Sequence, residues 1–268
     1  MNFLQDITLG QFLPGTSLLH RLDPRTKFIA LILLMGMAFL IRSLWALALL
    51  AGLSGVVLLL SGLPPGYVLR GMRPFLWIIL LTAVIHLATT PGSSLPFFPL
   101  GFVDLTVTGA EKGLLSAGQL FLALFLSSLF TLTTSPLQLA HGLEKLISPL
   151  RRFRVPVEDF SLMTMLAVKF IPILLGEANR IIKAQSARGV DFESGNFIRR
   201  ARNLVPILTP LFHSVFNRAE ELAMAMLARG YVSGARRTHL HPLRMQARDY
   251  FVLAGLAGFA ILEMGVLN

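Results

Sequence analysis

The stretch RSLWALALLAGLSGVVLLL, residues 42–60, decides what kind of molecule this is. From Leu44 to Leu60 it carries no charge, and a bilayer span needs roughly 17 to 25 mainly apolar residues. Upstream, residues 28–41 are similarly apolar, with room to begin earlier. Only Arg42-Ser43 separates the two runs, which predicts a tight helical hairpin. Downstream, further spans are expected over residues 75–89, 113–134 and 250–266. The fold class is therefore an all-α integral membrane protein with about five transmembrane helices.

Composition agrees. Of 268 residues 54% are apolar and only 14% charged, too greasy a balance for an ordinary soluble domain. No cysteine is present, which excludes disulfides and thiolate metal sites. The opening residues MNFLQDITLGQFLPG lack a basic segment followed by an apolar run, so no cleaved signal peptide is expected. Net charge is +10, and 17 of the 24 Lys and Arg residues lie between Lys145 and Arg248. By the positive-inside rule that region faces the cytoplasm, with the N-terminal Arg21, Arg25 and Lys27 and the loop holding Arg70 and Arg73. Residues 90–110 hold no Lys or Arg and are expected outside, as is the short C-terminus after an odd number of spans. The basic residues alternate with Leu, Ile, Phe and Met, a pattern that suits a membrane surface and not a nucleic-acid groove.

The remaining 115 residues, 135–249, are amphipathic, basic and broken by proline. They predict a cytoplasmic domain of three amphipathic helices, between a 28–134 transmembrane region and the 250–268 span, with 1–27 as a cytoplasmic N-terminal segment. The first helix lies in SPLQLAHGLEKLISPL, residues 135–150. The second runs from near Val157 to Ala187 with a kink expected at Pro172, and the third over about 204–228 with Pro206 and Pro210 near its start. Residues 161–175 are apolar enough to suggest a sixth span, but Lys169 would sit mid-bilayer at a cost of a few kcal/mol. The expectation is a helix lying flat on the membrane.

Two of these helices end alike, in AQSARG at Gly189 and AMLARG at Gly230. Glycine just past the last turn is the usual helix stop, so each Arg stands at a helix tip, where the carbonyl end also favours a cation. Pro172 and Pro210 each precede an Asn-Arg pair by seven residues, at Asn179-Arg180 and Asn217-Arg218. Two related helices are implied.

Catalytic signatures are missing. The sequence has no GxxxxGK[ST] phosphate loop, no HExxH and no GxSxG. His239 and His241 could share a metal, but no carboxylate lies at matching spacing, and a solvated loop or lipid-headgroup contact is the simpler reading. His86, in the third span, reads as one neutral side chain between helices. The spans hold almost no ionisable groups, so no enzyme activity, cofactor or metal is expected.

The chain resembles the transmembrane T component of energy-coupling factor (ECF) transporters. The residues that carry the likeness are GQFLPGTSLLHRLDPRTK, residues 10–27, VPVEDFSLMTMLAVKFIPIL, residues 155–174, and the extended triplets AQSARGVDF and AMLARGYV. The resemblance implies a multi-pass subunit of the prokaryotic cell membrane that links two ABC-type ATPase subunits to a small substrate-capturing membrane S component, for vitamin or micronutrient uptake. It implies that Arg188 and Arg229 anchor the two ATPases, framed by Ala187, Gly189, Ala228 and Gly230. ATP-driven closure would push the two tips together, and the long helices would carry that movement to an apolar face under the S component. Leu162, Met163, Met165, Leu166, Met224 and Met226 are candidates for that face, although methionines there could equally fill the packing between helices. Asp23, Arg25 and Lys27 are expected to cap the first span at headgroup level or brace the coupling helices. Arg151, Arg152, Arg154, Arg199, Arg200 and Arg202 are expected to meet anionic headgroups. The rival readings are the membrane subunit of a dedicated cobalt or nickel system, a polytopic enzyme acting on lipid, and a self-contained secondary carrier.

Overall fold

Asp23 and Pro24 begin the first helix for chemical reasons. The Asp23 carboxylate accepts the backbone N–H of Arg25 at 3.0 Å, and a proline in the first turn has no N–H to leave unsatisfied. The computed structural model describes residues 12–91, 106–153, 156–190, 192, 196–234 and 245–266. Among these, the chain forms helices α1 (Pro24–Leu40), α2 (Leu44–Ser61), α3 (Pro65–Met72), α4 (Leu76–Thr89), α5 (Val107–Thr133), α6 (Pro136–Ile147), α7 (Val157–Ala187), α8 (Phe197–Ala228) and α9 (Ala247–Val266). They fall into two compact units. One is Gly10–Gly142 with His241–Asn268, and the other contains Leu143–Leu240.

In the first unit α5 is the hub, with α1, α2, α3 and α4 packed on it and α9 packed on α1. One core joins Leu34, Met37, Ala38 and Ile41 of α1 and its end to Leu50 of α2, Leu122 and Leu126 of α5, and Leu256 of α9. A second joins Val68 and Met72 of α3 to Phe125, Leu129 and Leu132 of α5. The α4–α5 contact is closest at two glycines. A Cβ at Gly113 would lie 2.9 Å from the Ala83 carbonyl oxygen, and one at Gly109 would lie 3.0 Å from that of His86. This is a small-xxx-small face, which lets helix backbones approach where lipid removes the usual hydrophobic drive. His86 is half-buried beside it, as the sequence reading expected of a histidine between helices. Leu59, Trp77 and Leu80 stay exposed on α2 and α4 and give the unit an apolar outer surface suited to acyl chains.

Four helical segments are long and apolar enough to cross a membrane, judged by length and composition: Leu44–Ser61, Pro65–Thr89, Val107–Thr133 and Val157–Ala187. Three of them contain expected spans. The fourth is α7, which the sequence reading laid flat because of Lys169; its apolar stretch over residues 160–176 holds that one cation, and its hydropathy stays high enough to qualify. Helix α1, with 17 residues, is shorter than these four. The expected boundaries also move. Helix α8 begins at Phe197 and not near Leu204, and Pro206 and Pro210 lie inside it. Each proline removes one backbone donor without ending the helix.

Of the roles expected of Asp23, Arg25 and Lys27, capping the first helix falls to Asp23, while Asp23 and Lys27 are turned into the protein and not outward to headgroups. Asp23 and Lys27 are each only 6% exposed. Lys27 Nζ donates to the carbonyl of Thr133 at 2.9 Å, where α5 ends, and to that of His20 at 3.4 Å. The backbone N–H of Asp23 donates to the Asp249 carboxylate at 2.9 Å, and Asp249 is buried in the first turn of α9. A helix end leaves its last carbonyls without intrahelical partners, so a lysine placed there satisfies one and meets the negative end of the dipole. The LDPRTK stretch thus joins the start of α1, the end of α5 and the start of α9. Burial lowers the Lys27 pKa to about 8, with the neighbouring Asp23 charge pulling the other way.

Candidate functional site

The second unit brings the two Ala-Arg-Gly ends into view as the same structure made twice. At the end of α7, Gly189 has φ of +87°, its N–H donates to the Ser186 carbonyl at 3.0 Å, and the Val190 N–H donates to that of Gln185 at 3.1 Å. At the end of α8, Gly230 has φ of +75°, its N–H donates to Leu227 at 2.9 Å, and the Tyr231 N–H donates to Met226 at 3.0 Å. Both are Schellman closures, with the bond from the glycine nested inside the bond from the next residue. Arg188 and Arg229 occupy the equivalent cap position with φ of −87° and −89°. Ala187, Ala228 and both arginines are exposed, and nothing lies within 4 Å of where a Cβ on either glycine would stand. Among the described residues neither guanidinium has a hydrogen-bond or ion-pair partner. Each tip is therefore a bare cation on a small-residue frame, able to enter a groove and pair bidentately with a carboxylate.

Helices α7 and α8 run antiparallel. The Tyr231 hydroxyl donates to Asp159 at 3.2 Å, near the start of α7, while Arg218 lies 3.8 Å from Glu177 further along it. Twenty-nine residues of helix separate position 159 from Arg188, so the two arginine tips stand roughly 40 Å apart, at opposite ends of the pair. Between the two contacts opens an apolar groove of about 490 Å³, walled by Leu166, Phe170 and Leu174 of α7 and by Leu222, Met226 and Tyr231 on the α8 side. Glu177 and Arg218 are partly exposed, and such a pair contributes about 1 kcal/mol at most. It marks one end of the groove more than it stabilises it.

The six residues proposed for an apolar contact face are not brought together. Leu166 and Met226 line the groove, Leu162 and Met165 are half-buried, and Met163 and Met224 are exposed, the latter beside Glu220 and Glu221. Met224 and Met226 are two residues apart, which turns them to different sides of α8. The sequence reading missed a stronger face. Val205, Leu208, Phe212 and Phe216 recur at three- and four-residue spacing, all exposed, with Phe216 at 68%. Ala219, Ala223 and Leu227 continue that stripe into the groove. Helical spacing alone would have revealed it. The links of Asp159 to residues 231–234 carried no sequence signal. His239, His241 and Arg154 fall outside the described residues. No cluster of His, Asp or Glu able to hold a metal occurs among the described residues.

Residues 15–240 match the model of the CbiQ family, described as a cobalt transport protein. A Heliobacterium modesticaldum protein named energy-coupling factor transporter transmembrane protein EcfT is 46% identical over 261 residues, covering 97% of each chain. The Brevibacillus brevis protein of that name is 45% identical, covering 93% of this chain and 94% of its own length, and the Bacillus subtilis one is 38% identical, covering 97% of each.

Proposed function

This chain belongs to the EcfT, CbiQ-like family of transmembrane T components, non-catalytic membrane subunits of energy-coupling factor transporters, and from that premise we propose how it couples. Arg188 and Arg229 each dock one of two ABC-type ATPase subunits on the cytoplasmic side. The exposed stripe of α8 and the groove beside α7 receive a small membrane S component, and the transported substrate is a vitamin or related micronutrient. The observation that carries this reading is the pair of matching Schellman-closed tips, each presenting an exposed arginine that has no partner among the described residues, at opposite ends of one antiparallel helix pair. Two equal sockets far apart suit two similar partners better than one. When ATP draws the ATPases together, both tips move, and crossing helices convert that into a change of the groove between them. The clustering of basic residues in 145–248 supports a cytoplasmic placement of this unit.

The test is the double substitution Arg188→Ala with Arg229→Ala in the assembled transporter. Loss of ATP-driven uptake and of ATPase co-purification is expected. Normal transport with partners retained sinks the docking assignment. A second reading, a dedicated cobalt or nickel importer, draws on the description of the matching family model. Identifying every chain that co-purifies, with uptake assays for the metal and for vitamins, separates the two.

A further inference from the structure

We infer that Asp159 is a positioning residue for the Arg229 tip, holding it at a fixed angle to α7 by gathering the chain just beyond Gly230. The inference rests on the reading of Arg229 as an ATPase anchor and adds to it a device that orients one anchor of the two. Asp159 lies in the first turn of α7, where the helix dipole favours a carboxylate. Its Oδ2 accepts the Ser233 hydroxyl at 2.6 Å, and its Oδ1 accepts the Tyr231 hydroxyl at 3.2 Å and the Gly234 N–H at 3.4 Å. The Ser233 bond is short and charge-assisted, so it is the strongest of the three.

Tyr231 links this latch to the tip. Its backbone N–H closes the outer bond of the α8 cap, on Met226, and its hydroxyl reaches α7. Arg229, two residues before it, has backbone bonds on its own N–H and on that of Gly230. The second tip is thus tied at once to its own helix and to the base of the other. At the first tip the corresponding residue is Val190, whose side chain has no hydroxyl to offer. Tyr231 also walls the groove with Met226 and Leu166, so an occupant pressing there pushes on the residue that sets the Arg229 angle.

The experiment uses the full chain assembled with its ATPases and S component, and reads the apparent Kd of the ATPases for the T subunit in detergent together with ATP-driven uptake in proteoliposomes. Asp159→Ala is expected to weaken ATPase binding roughly fivefold, less than the worth of one charge-assisted bond, because the latch orients the tip and does not itself touch the ATPase. Added to Arg229→Ala it should cause no further loss, and added to Arg188→Ala it should cause the full loss, since only coupled residues depart from additivity. The pair Tyr231→Phe with Ser233→Ala, which removes donors and leaves Asp159 in place, should reproduce the effect. Unchanged yield and helical circular dichroism establish that Asp159→Ala folds. Equal losses on both arginine backgrounds would mean a general structural role and overturn the latch. So would wild-type binding by Asp159→Ala while Arg229→Ala is impaired, an outcome that leaves the anchor standing. If Arg229→Ala itself binds normally, the anchor reading fails and the latch with it.

Discussion

Lys27 Nζ lies 2.9 Å from the carbonyl oxygen of Thr133, the last residue of α5, 106 positions along the chain. Burial holds the Lys27 pKa near 8, below its ordinary 10.5. Between those values the unfolded chain binds the proton that the folded protein has released, so stability rises as pH climbs through that window. Below pH 8 the whole penalty of the buried ammonium is present. Thermal unfolding of the purified protein in detergent should show a gain on the order of 1–3 kcal/mol from pH 8 to 10.5. Lys27→Met should flatten that rise. An unchanged slope in the variant would place the titration elsewhere.

Gly113 and Gly52 should respond oppositely to alanine. At Gly113 the new Cβ would meet the Ala83 carbonyl oxygen at 2.9 Å, a backbone atom that cannot turn aside, whereas at Gly52 it would meet nothing within 4 Å. Gly113→Ala is expected to cost roughly 1–3 kcal/mol through displaced α4–α5 packing. Gly52→Ala should be neutral or up to about 1 kcal/mol stabilising through helix propensity. Melting temperatures of the two variants in one detergent decide the matter.

The two cap glycines need their left-handed backbone and not space. Gly189→Ala and Gly230→Ala should each strain the cap by about 1–2 kcal/mol. ATP-driven uptake should fall severalfold, while asparagine at the same positions, which tolerates the left-handed region, keeps more of it. Equal uptake by the alanine and asparagine variants would remove backbone conformation as the cause.

Asp249 accepts two backbone donors, Asp23 N–H at 2.9 Å and Gln246 N–H at 2.8 Å, and is 1% exposed. Asp249→Ala leaves both without their acceptor and should destabilise by about 1–3 kcal/mol per orphaned group. Asp249→Asn, which keeps one acceptor oxygen, should lose about half as much. The measurement is thermal unfolding in detergent.

The helices and their apolar faces were legible because hydropathy and 3.6-residue spacing are local properties. The two tips were legible for the same reason: Gly189 and Gly230 advertise a left-handed residue in the sequence itself. What stayed hidden was pairing across distance. Nothing near Lys27 signals that its partner is the end of α5, and nothing near Asp159 signals residues 231–234. The start of α8 was missed because Arg199, Arg200 and Arg202 blur the apolar period that marks a helix, although arginine is a good helix former. The methionine candidates were picked by residue type and not by angular position, while Phe212 and Phe216 share a helical spacing and stand exposed.

An antiparallel pair of helices with one closing motif at each far end maps approximately onto itself by a half-turn about an axis through the Glu177–Arg218 contact, at one end of the groove. Arg188 then exchanges with Arg229 and Gly189 with Gly230. A single polypeptide in this way presents approximate twofold symmetry to whatever it meets, and a dimer of like subunits can use one set of contacts twice, as in an isologous interface. Among the described residues the half-turn fails at Asp159, whose bonds to residues 231–234 gather the chain beyond Gly230, so the two protomers of a symmetric partner would be told apart by the end each one occupies.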